Sequence, residues 1–446
     1  MEKSLSMDVV NALAAGIDVG STSYFVSIGQ QSDQVREFGV YTEDHQQLID
    51  WLKSANIVSV AMESTGSYWQ TLFSSLQNAG FNVLLVNGKY TKNVKGRKTD
   101  VLDCMWIQKL HSLGLLSGSF LPAEQIRELQ SYYHHRQYLI RQSGSYMQKM
   151  QQALRLMNLR LDVVLRDITG LTGTAIIEAI LKGERNPTRL ANLAHHRVKK
   201  SKTEIALALQ GEWREDQLFL LEECYQFYCY YRSKVTQSDQ KIEALLKRAL
   251  IGKPSLVELP KIKRKKKHKN TPTFELRPIA YHFFGVDLYQ IDGISDSTIL
   301  CILCMLGEGV DRFPSAKHFV SWLNLAPNNK ISGGKVLSSR TPKGKNKLSL
   351  ALRHAANVIG NLKDHPLSSF FSRVAYRKGR GAAITATARK LATIIYHMLT
   401  KKEAFDPNHH THEKKKHRKK NIRSLQRKIA SLDLSDNEKA FIFQGT

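Results

Sequence analysis

Between residues 13 and 115 the chain switches its hydrophobic period repeatedly, and that alternation leaves few folds open. LAAGIDV reads as a buried strand, Gly20-Ser21-Thr22 as a tight turn, and YFVSIG and QVREFGVY as two further strands. EDHQQLIDWLKSA has the spacing of an amphipathic helix, IVSVAME is another buried strand, and GSYWQTLFSSLQNAG is a helix closed by glycine. FNVLLVN and the segment Asp100–Leu116 add one more strand and one more helix. Three strands in succession predict an antiparallel part of a sheet. The strand–helix alternation that follows predicts a parallel part, so the fold class is α/β here.

Four acids occupy telling places in this pattern. Asp18 ends the first strand and Glu63 ends the strand in VAMESTG, while Asp100 and Asp103 sit three apart on a helix and share one face. The other face of that helix carries Leu102, Met105, Trp106 and Leu113, which can bury. Two strand-end acids and a helix-borne pair can converge at one sheet edge, where four carboxylates repel unless divalent cations neutralise them. Mg2+, or Mn2+ in its place, prefers such oxygen ligands. Two such ions activate an attacking oxygen and stabilise a leaving one in phosphodiester chemistry.

The rest of the chain is helical and basic. Ile126, Tyr133, Ile140, Met147, Leu154 and Leu161 fall seven apart within 122–167, with Leu129, Met150, Met157 and Val164 filling most of a second set. Leu221, Tyr228, Val235, Ile242 and Ala249 form a second heptad over 218–250, with Cys224, Tyr231 and Leu245 between. These stripes fit an antiparallel hairpin or a dimerising coiled coil. KIKRKKKHK at 261–269, which holds Lys263, Arg264 and Lys265, reads as a basic linker, and EKKKHRKK as a second basic block before a last amphipathic helix. The division expected is 1–120 α/β catalytic domain, 121–254 coiled-coil helices, 255–285 basic linker, 286–405 mostly helical serine-bearing domain and 406–446 basic tail. The net charge of +27, from 66 Lys and Arg against 39 Asp and Glu, calls for a polyanionic partner. No run approaches a membrane span and the N-terminus carries no secretory pattern, so the expectation is a cytoplasmic protein with no membrane partner.

Ser332 lies in Lys330-Ile331-Ser332-Gly333-Gly334-Lys335, followed by Arg340, Lys343 and Lys345. Glycines let a backbone approach a phosphate, and the cations would stabilise a transferring phosphoryl group. With no Asp–His pair nearby, the segment alone reads more readily as a phosphate-binding turn without chemistry. Of five cysteines, Cys301 and Cys304 form a CxxC inside the apolar run ILCILCML and read as core. His409, His410 and His412 read as a solvated tail.

GIDVGST, AMESTG, VNGKYTKNVKGRKTDVLDC and LNLAPNNKISGGK…RTPKGKNKLSLALRHAA, in that order, resemble the DEDD transposases of the IS110 insertion-sequence family. That resemblance implies an RNase-H-like, resolvase-type domain, then a coiled coil, then a transposase domain. It implies Mg2+ on Asp18, Glu63, Asp100 and Asp103, and Ser332 as the nucleophile of a covalent 5′-phosphoserine link. It also implies donor and target DNA, a noncoding bridge RNA, and a homodimer pairing into a tetramer in a prokaryotic nucleoid. The 251–285 insert, the tail after 403, and Pro342 and Ser349 depart from the pattern. Three rivals remain: a junction-resolving nuclease that needs the acids but not Ser332, an actin-like ATPase or sugar kinase suggested by GIDVGSTS, and a non-catalytic nucleic-acid scaffold.

Overall fold

The computed structural model describes residues 8–91, 99–119, 121, 124–251, 259–261, 267–307, 309–342, 344, 346–363, 365–406, 422–427, 429 and 431, with the backbone alone for Lys89 and Tyr90. They divide into two compact units, 1–121 and 122–446.

The first unit is one five-stranded sheet with helices. In chain order come β1 (Ala14–Val19), β2 (Tyr24–Ser27), β3 (Val35–Phe38), α1 (Thr42–Ser54), β4 (Ser59–Glu63), α2 (Trp69–Asn78), β5 (Asn82–Val86), α3 (Gly88–Thr91) and α4 (Asp100–Ser112). The sheet order is β3-β2-β1-β4-β5. β1–β2 and β2–β3 are antiparallel, while β1–β4 and β4–β5 are parallel. The expected succession and the mixed sheet are both present. The turn after β1 closes with the Gly20 N–H donating to the Ser23 carbonyl at 3.0 Å.

Side-chain alternation divides the sheet into two unlike faces. Ile17, Val19, Val60 and Met62 point into an apolar core against Leu48 and Leu52 of α1 and Leu72 and Leu76 of α2. The opposite face holds small residues: Ala14 is paired with Ser59 and Gly16 with Ala61. That face takes α4.

The second unit is built on two long helices, α5 (Glu124–Leu156) and α10 (Glu215–Arg248). Between them lie α6 (Leu161–Val164), α7 (Leu171–Leu181), α8 (Pro187–Asn192) and α9 (Lys202–Ala208). α5 and α10 pack antiparallel within one chain, since Leu129 and Tyr133 share a core with Ile242 and Leu246, and Met150 and Leu154 share another with Leu218 and Leu221. Their seam keeps the expected heptad, but it is not wholly apolar: Arg136, at a gap in its second set, pairs with Asp239 at 2.5 Å, with 1% and 0% of their side chains exposed. The heptad was expected to run to 167, yet α5 ends at Leu156 and Leu161 belongs to α6. Positive φ at Asn158 marks the break.

Beyond the hairpin come α11 (Leu276–Phe284), α12 (Asp296–Leu306), α13 (Ala316–Trp322), β6 (Lys330–Ser332), β7 (Lys335–Ser338), α14 (Lys347–Gly360), α15 (Ser368–Lys378) and α16 (Arg380–Lys401). The stretch 255–285 is therefore not all linker, because α11 buries Leu276, Phe283 and Phe284 in the same core as α12. Leu288–Gln290 is a single 3-10 turn that precedes α12. Cys301 and Cys304 are core residues. Residues 422–427 are helical. His409, His410, His412 and the second basic block lie outside the described residues. Among the described residues no helix is long and apolar enough to cross a membrane.

Candidate active site

The site is set by how closely α4 lies on β1. A Cβ on Gly16 would fall 2.2 Å from the Gln108 backbone nitrogen and 2.5 Å from the Cys104 carbonyl oxygen, so only glycine fits there. Gln108 Nε2 donates to the Ala14 carbonyl at 3.1 Å, and His111 Nε2 lies 2.8 Å from Ser59 Oγ. The helix thus crosses β1 with its later turns over Ala14 and its first turn over the strand's end. Asp18 is two residues beyond Gly16 and lies on the same face. Glu63 follows Met62, the register partner of Ile17, at the matching end of β4.

The face of α4 that buries is not the one its apolar residues indicate. Cys104, Ile107, Gln108 and His111 are buried, whereas Leu102 is 46% exposed. Asp100 and Asp103 continue the buried stripe toward the N-terminus at helical spacing, which aims them at the strand ends. Thr99 caps the helix, its Oγ1 accepting from the Leu102 N–H at 3.3 Å. Two acids in the first turn also suit the positive end of the helix dipole.

Glu63 is held from the other side. Its Oε2 accepts from Thr91 Oγ1 at 2.7 Å, and a Cβ on Gly88 would fall 2.2 Å from its Oε1. Thr91 and Gly88, the two ends of α3, carried no signal that sequence reasoning could use, because their role depends on where β5 ends. Gly16 and Gln108 were missed because their role depends on how closely α4 lies on β1.

Burial, then the charges of Asp100, Asp103 and Glu63, push the Asp18 carboxyl from 3.8 up to about 6, with the Val19 N–H opposing. Burial pushes the Cys104 thiol up to about 12, so it is no nucleophile at neutral pH. Among the described residues no group of three or more His, Cys, Asp or Glu side chains is arranged to hold a metal ion as it stands. The charges of the other three acids reach Asp18, and like charges resist closer approach. As a donor set they offer only hard carboxylate oxygens, which fit Mg2+ and Mn2+.

Ser332 belongs to the second unit. It ends β6 opposite Lys335, and Gly333 and Gly334 turn the chain with φ of +53° and +74°. Two consecutive positive φ values are those of a tight hairpin turn, for which glycines are the natural choice. The expected loop is therefore a hairpin, and its strand residues are exposed except for the partly covered Ser338. Lys330 and Lys335 are on it, and the Arg340 carbonyl accepts from the Asn328 N–H at 3.0 Å just below it. Lys263, Arg264, Lys265, Lys343 and Lys345 lie outside the described residues.

Two family models match the chain. One, described as a transposase and named for the DEDD domain of IS110, covers residues 15–159. The other, described as the transposase IS116/IS110/IS902 family, covers 287–371. A search of the curated proteins found no match. The first match contains all four acids and the second contains the Ser332 hairpin, and together they span more than half of the 446 residues. The chain belongs to the IS110 family of transposases.

Proposed function

We propose that this transposase, a DNA-processing enzyme, performs divalent-metal-dependent, RNA-guided DNA strand exchange through a covalent phosphoserine intermediate. The observation that carries the reading is the placement of Asp18 and Glu63 at neighbouring strand ends under the first turn of α4, where burial and then the charges of Asp100, Asp103 and Glu63 raise the Asp18 carboxyl to about 6. The order of strands and helices in the first unit supports an RNase-H-like assignment for that unit. The division expected from the sequence is proposed with it, with α11 assigned to the serine-bearing domain and not to the linker.

In this reading Asp18, Glu63, Asp100 and Asp103 hold Mg2+ or Mn2+, which when bound polarises the phosphoryl oxygens and activates the attacking oxygen. Ser332 Oγ attacks the scissile phosphorus, an O–P bond forms to serine, and the bond to the 3′ oxygen breaks. The products are a 5′-phosphoserine and a free 3′-hydroxyl, and the hydroxyl proton of Ser332 passes to a carboxylate. That proton is then passed on to the leaving 3′ oxygen. Lys330, Lys335 and Arg340, with Lys343, Lys345, Lys263, Arg264 and Lys265, contact phosphates. In this reading the assembled complex is a dimer pairing into a tetramer, with donor DNA, target DNA and a bridge RNA. A nucleoid-associated cytoplasmic setting follows from those partners.

One observation favours a second reading. Ser332 stands on an exposed hairpin, which suits a phosphate-binding turn in a junction-resolving nuclease acting by metal-assisted hydrolysis. The actin-like alternative loses ground, since a helical hairpin, not a second copy of the sheet, follows the first unit. A strand-transfer assay with and without Mg2+ tests the main reading. Asp18→Ala should abolish product; transfer that survives it, or that proceeds in EDTA, contradicts the assignment.

A further inference from the structure

Residues 327–402 hold sixteen lysines and arginines against a single acid, Asp364. Part of that charge is gathered in a groove. It lies at the foot of the β6–β7 hairpin, between the chain leaving β7 and helices α15 and α16, with a cavity volume of about 880 Å3. Arg340, Arg377, Lys378, Arg389 and Lys390 line it, and among the described residues no carboxylate does. Its remaining lining includes Pro327, Phe370, Val374 and Ala382. Lys390 lies 4.5 Å from the centre of the Phe370 ring and Arg373 lies 5.9 Å from it, so the aromatic is bracketed by cations.

The glycine corner between the two helices shapes this groove. Gly379 has φ of +82°, which lets α15 turn straight into α16. At helical spacing Phe370, Val374, Arg377 and Lys378 on α15 face Ala382, Ala386, Arg389 and Lys390 on α16. Each wall therefore carries apolar residues on one stretch and a pair of cations on another.

A duplex shows phosphates to a protein and keeps its bases stacked inside, so a purely cationic surface serves it. A cationic groove with apolar walls suits a strand whose bases are unstacked, with phosphates on the cations and base faces on the apolar residues. We propose that this groove binds an unpaired nucleic-acid strand, and that it is a binding site separate from the acid cluster. Strand exchange necessarily exposes unpaired strands, and the groove adjoins the hairpin that carries Ser332.

Binding in EDTA separates this proposal from the catalytic reading, because the metal chemistry is then silent. The probes are a labelled single-stranded DNA, an RNA of the same sequence and the corresponding DNA duplex, titrated with full-length protein at several salt concentrations. Arg377→Ala with Lys378→Ala should weaken single-strand binding. It should also flatten its salt slope by about 1.4, for two phosphate contacts at roughly 0.7 each. Ala382→Leu, which fills the groove without changing charge, should weaken the single strand by about fivefold or more and leave the duplex unchanged. Lys363→Ala with Lys401→Ala removes equal charge outside the groove and should change single-strand binding by less than either groove variant. The RNA and DNA probes show which strand is held more tightly, and loss of either in the groove variants supports the site. Equal losses for duplex and single strand, or wild-type single-strand binding by Ala382→Leu, would overturn it.

Discussion

The acid cluster and the serine hairpin occupy opposite kinds of scaffold. Asp18 and Glu63 end neighbouring parallel strands, and a helix is pressed onto one of them so tightly that a methyl group at Gly16 would meet backbone. Ser332 ends a two-stranded hairpin around whose turn a Cβ at Gly333 or Gly334 would meet nothing within 4 Å. Charges that must be kept close need a rigid frame, because repulsion works against them. A group that must reach a substrate in an assembled complex needs freedom from its own fold, and a short hairpin supplies that.

The contrast can be broken most sharply at Asp18. Asp18→Ala should reduce strand transfer by roughly 10³-fold or more while the protein stays folded. A loss of only a few-fold would mean that the cluster does not carry the chemistry.

Next in size is backbone packing. Gly16→Ala should cost about 1–3 kcal/mol in denaturant unfolding, because the added methyl meets the backbone of α4 and must push the first turn away from Asp18. Gly334→Ala meets open space, so its cost is conformational alone, about 1–2 kcal/mol for a positive φ. Equal retention of metal-dependent activity in the two variants would show that the α4–β1 approach does not set the site.

A smaller effect follows from the raised Asp18 carboxyl. Its folded value of about 6 exceeds the ordinary 3.8, so the folded state binds that proton more tightly. The group's contribution to stability therefore falls as pH rises from about 4 to 6, and the cost is fully present above that. In metal-free protein Asp18→Asn should raise the Tm at pH 7.5 and change it little near pH 4. Mg2+ should then stabilise the wild type more than the variant. A Tm difference independent of pH would remove the charge crowding from the account.

Smallest of all should be Ile331→Ser. Ile331 is 61% exposed on the hairpin, so unfolding stability should move by less than about 0.5 kcal/mol. A large loss would mean that the hairpin is packed after all.

The same two regions explain what could be read from residues alone. The strands β1 and β4 read as short apolar runs because both of their faces are covered, so Asp18 and Glu63 could be placed at strand ends. The orientation of α4 could not, because the strand residues beneath it are Ala14, Gly16 and Ala61. Small residues let a helix approach so closely that Gln108 and His111 find partners on the strands, and the apolar Leu102 is left outside. Counting apolar residues therefore picks the wrong face. In the α5–α10 seam the period was legible, but Arg136 and Asp239 look polar and hence external until they are seen paired. Asp239 also accepts from the Thr273 N–H at 3.2 Å, and Arg136 donates to the Asn270 carbonyl at 3.0 Å, tying down a segment distant in sequence. The lobe α6–α9 has helices of 4 to 11 residues, too short for periodicity to announce. The β6–β7 hairpin was readable only as a turn, since its strands alternate without a buried face.

The most direct test mixes the protein with Mg2+, the RNA transcribed from the flank of its element, and labelled donor and target DNA, then separates the products on a denaturing protein gel. The account predicts a labelled band that migrates with the protein, requires the metal and disappears in Ser332→Ala. Cut DNA with free ends and no labelled protein band would contradict it and leave Ser332 as a phosphate-binding turn in a hydrolytic nuclease.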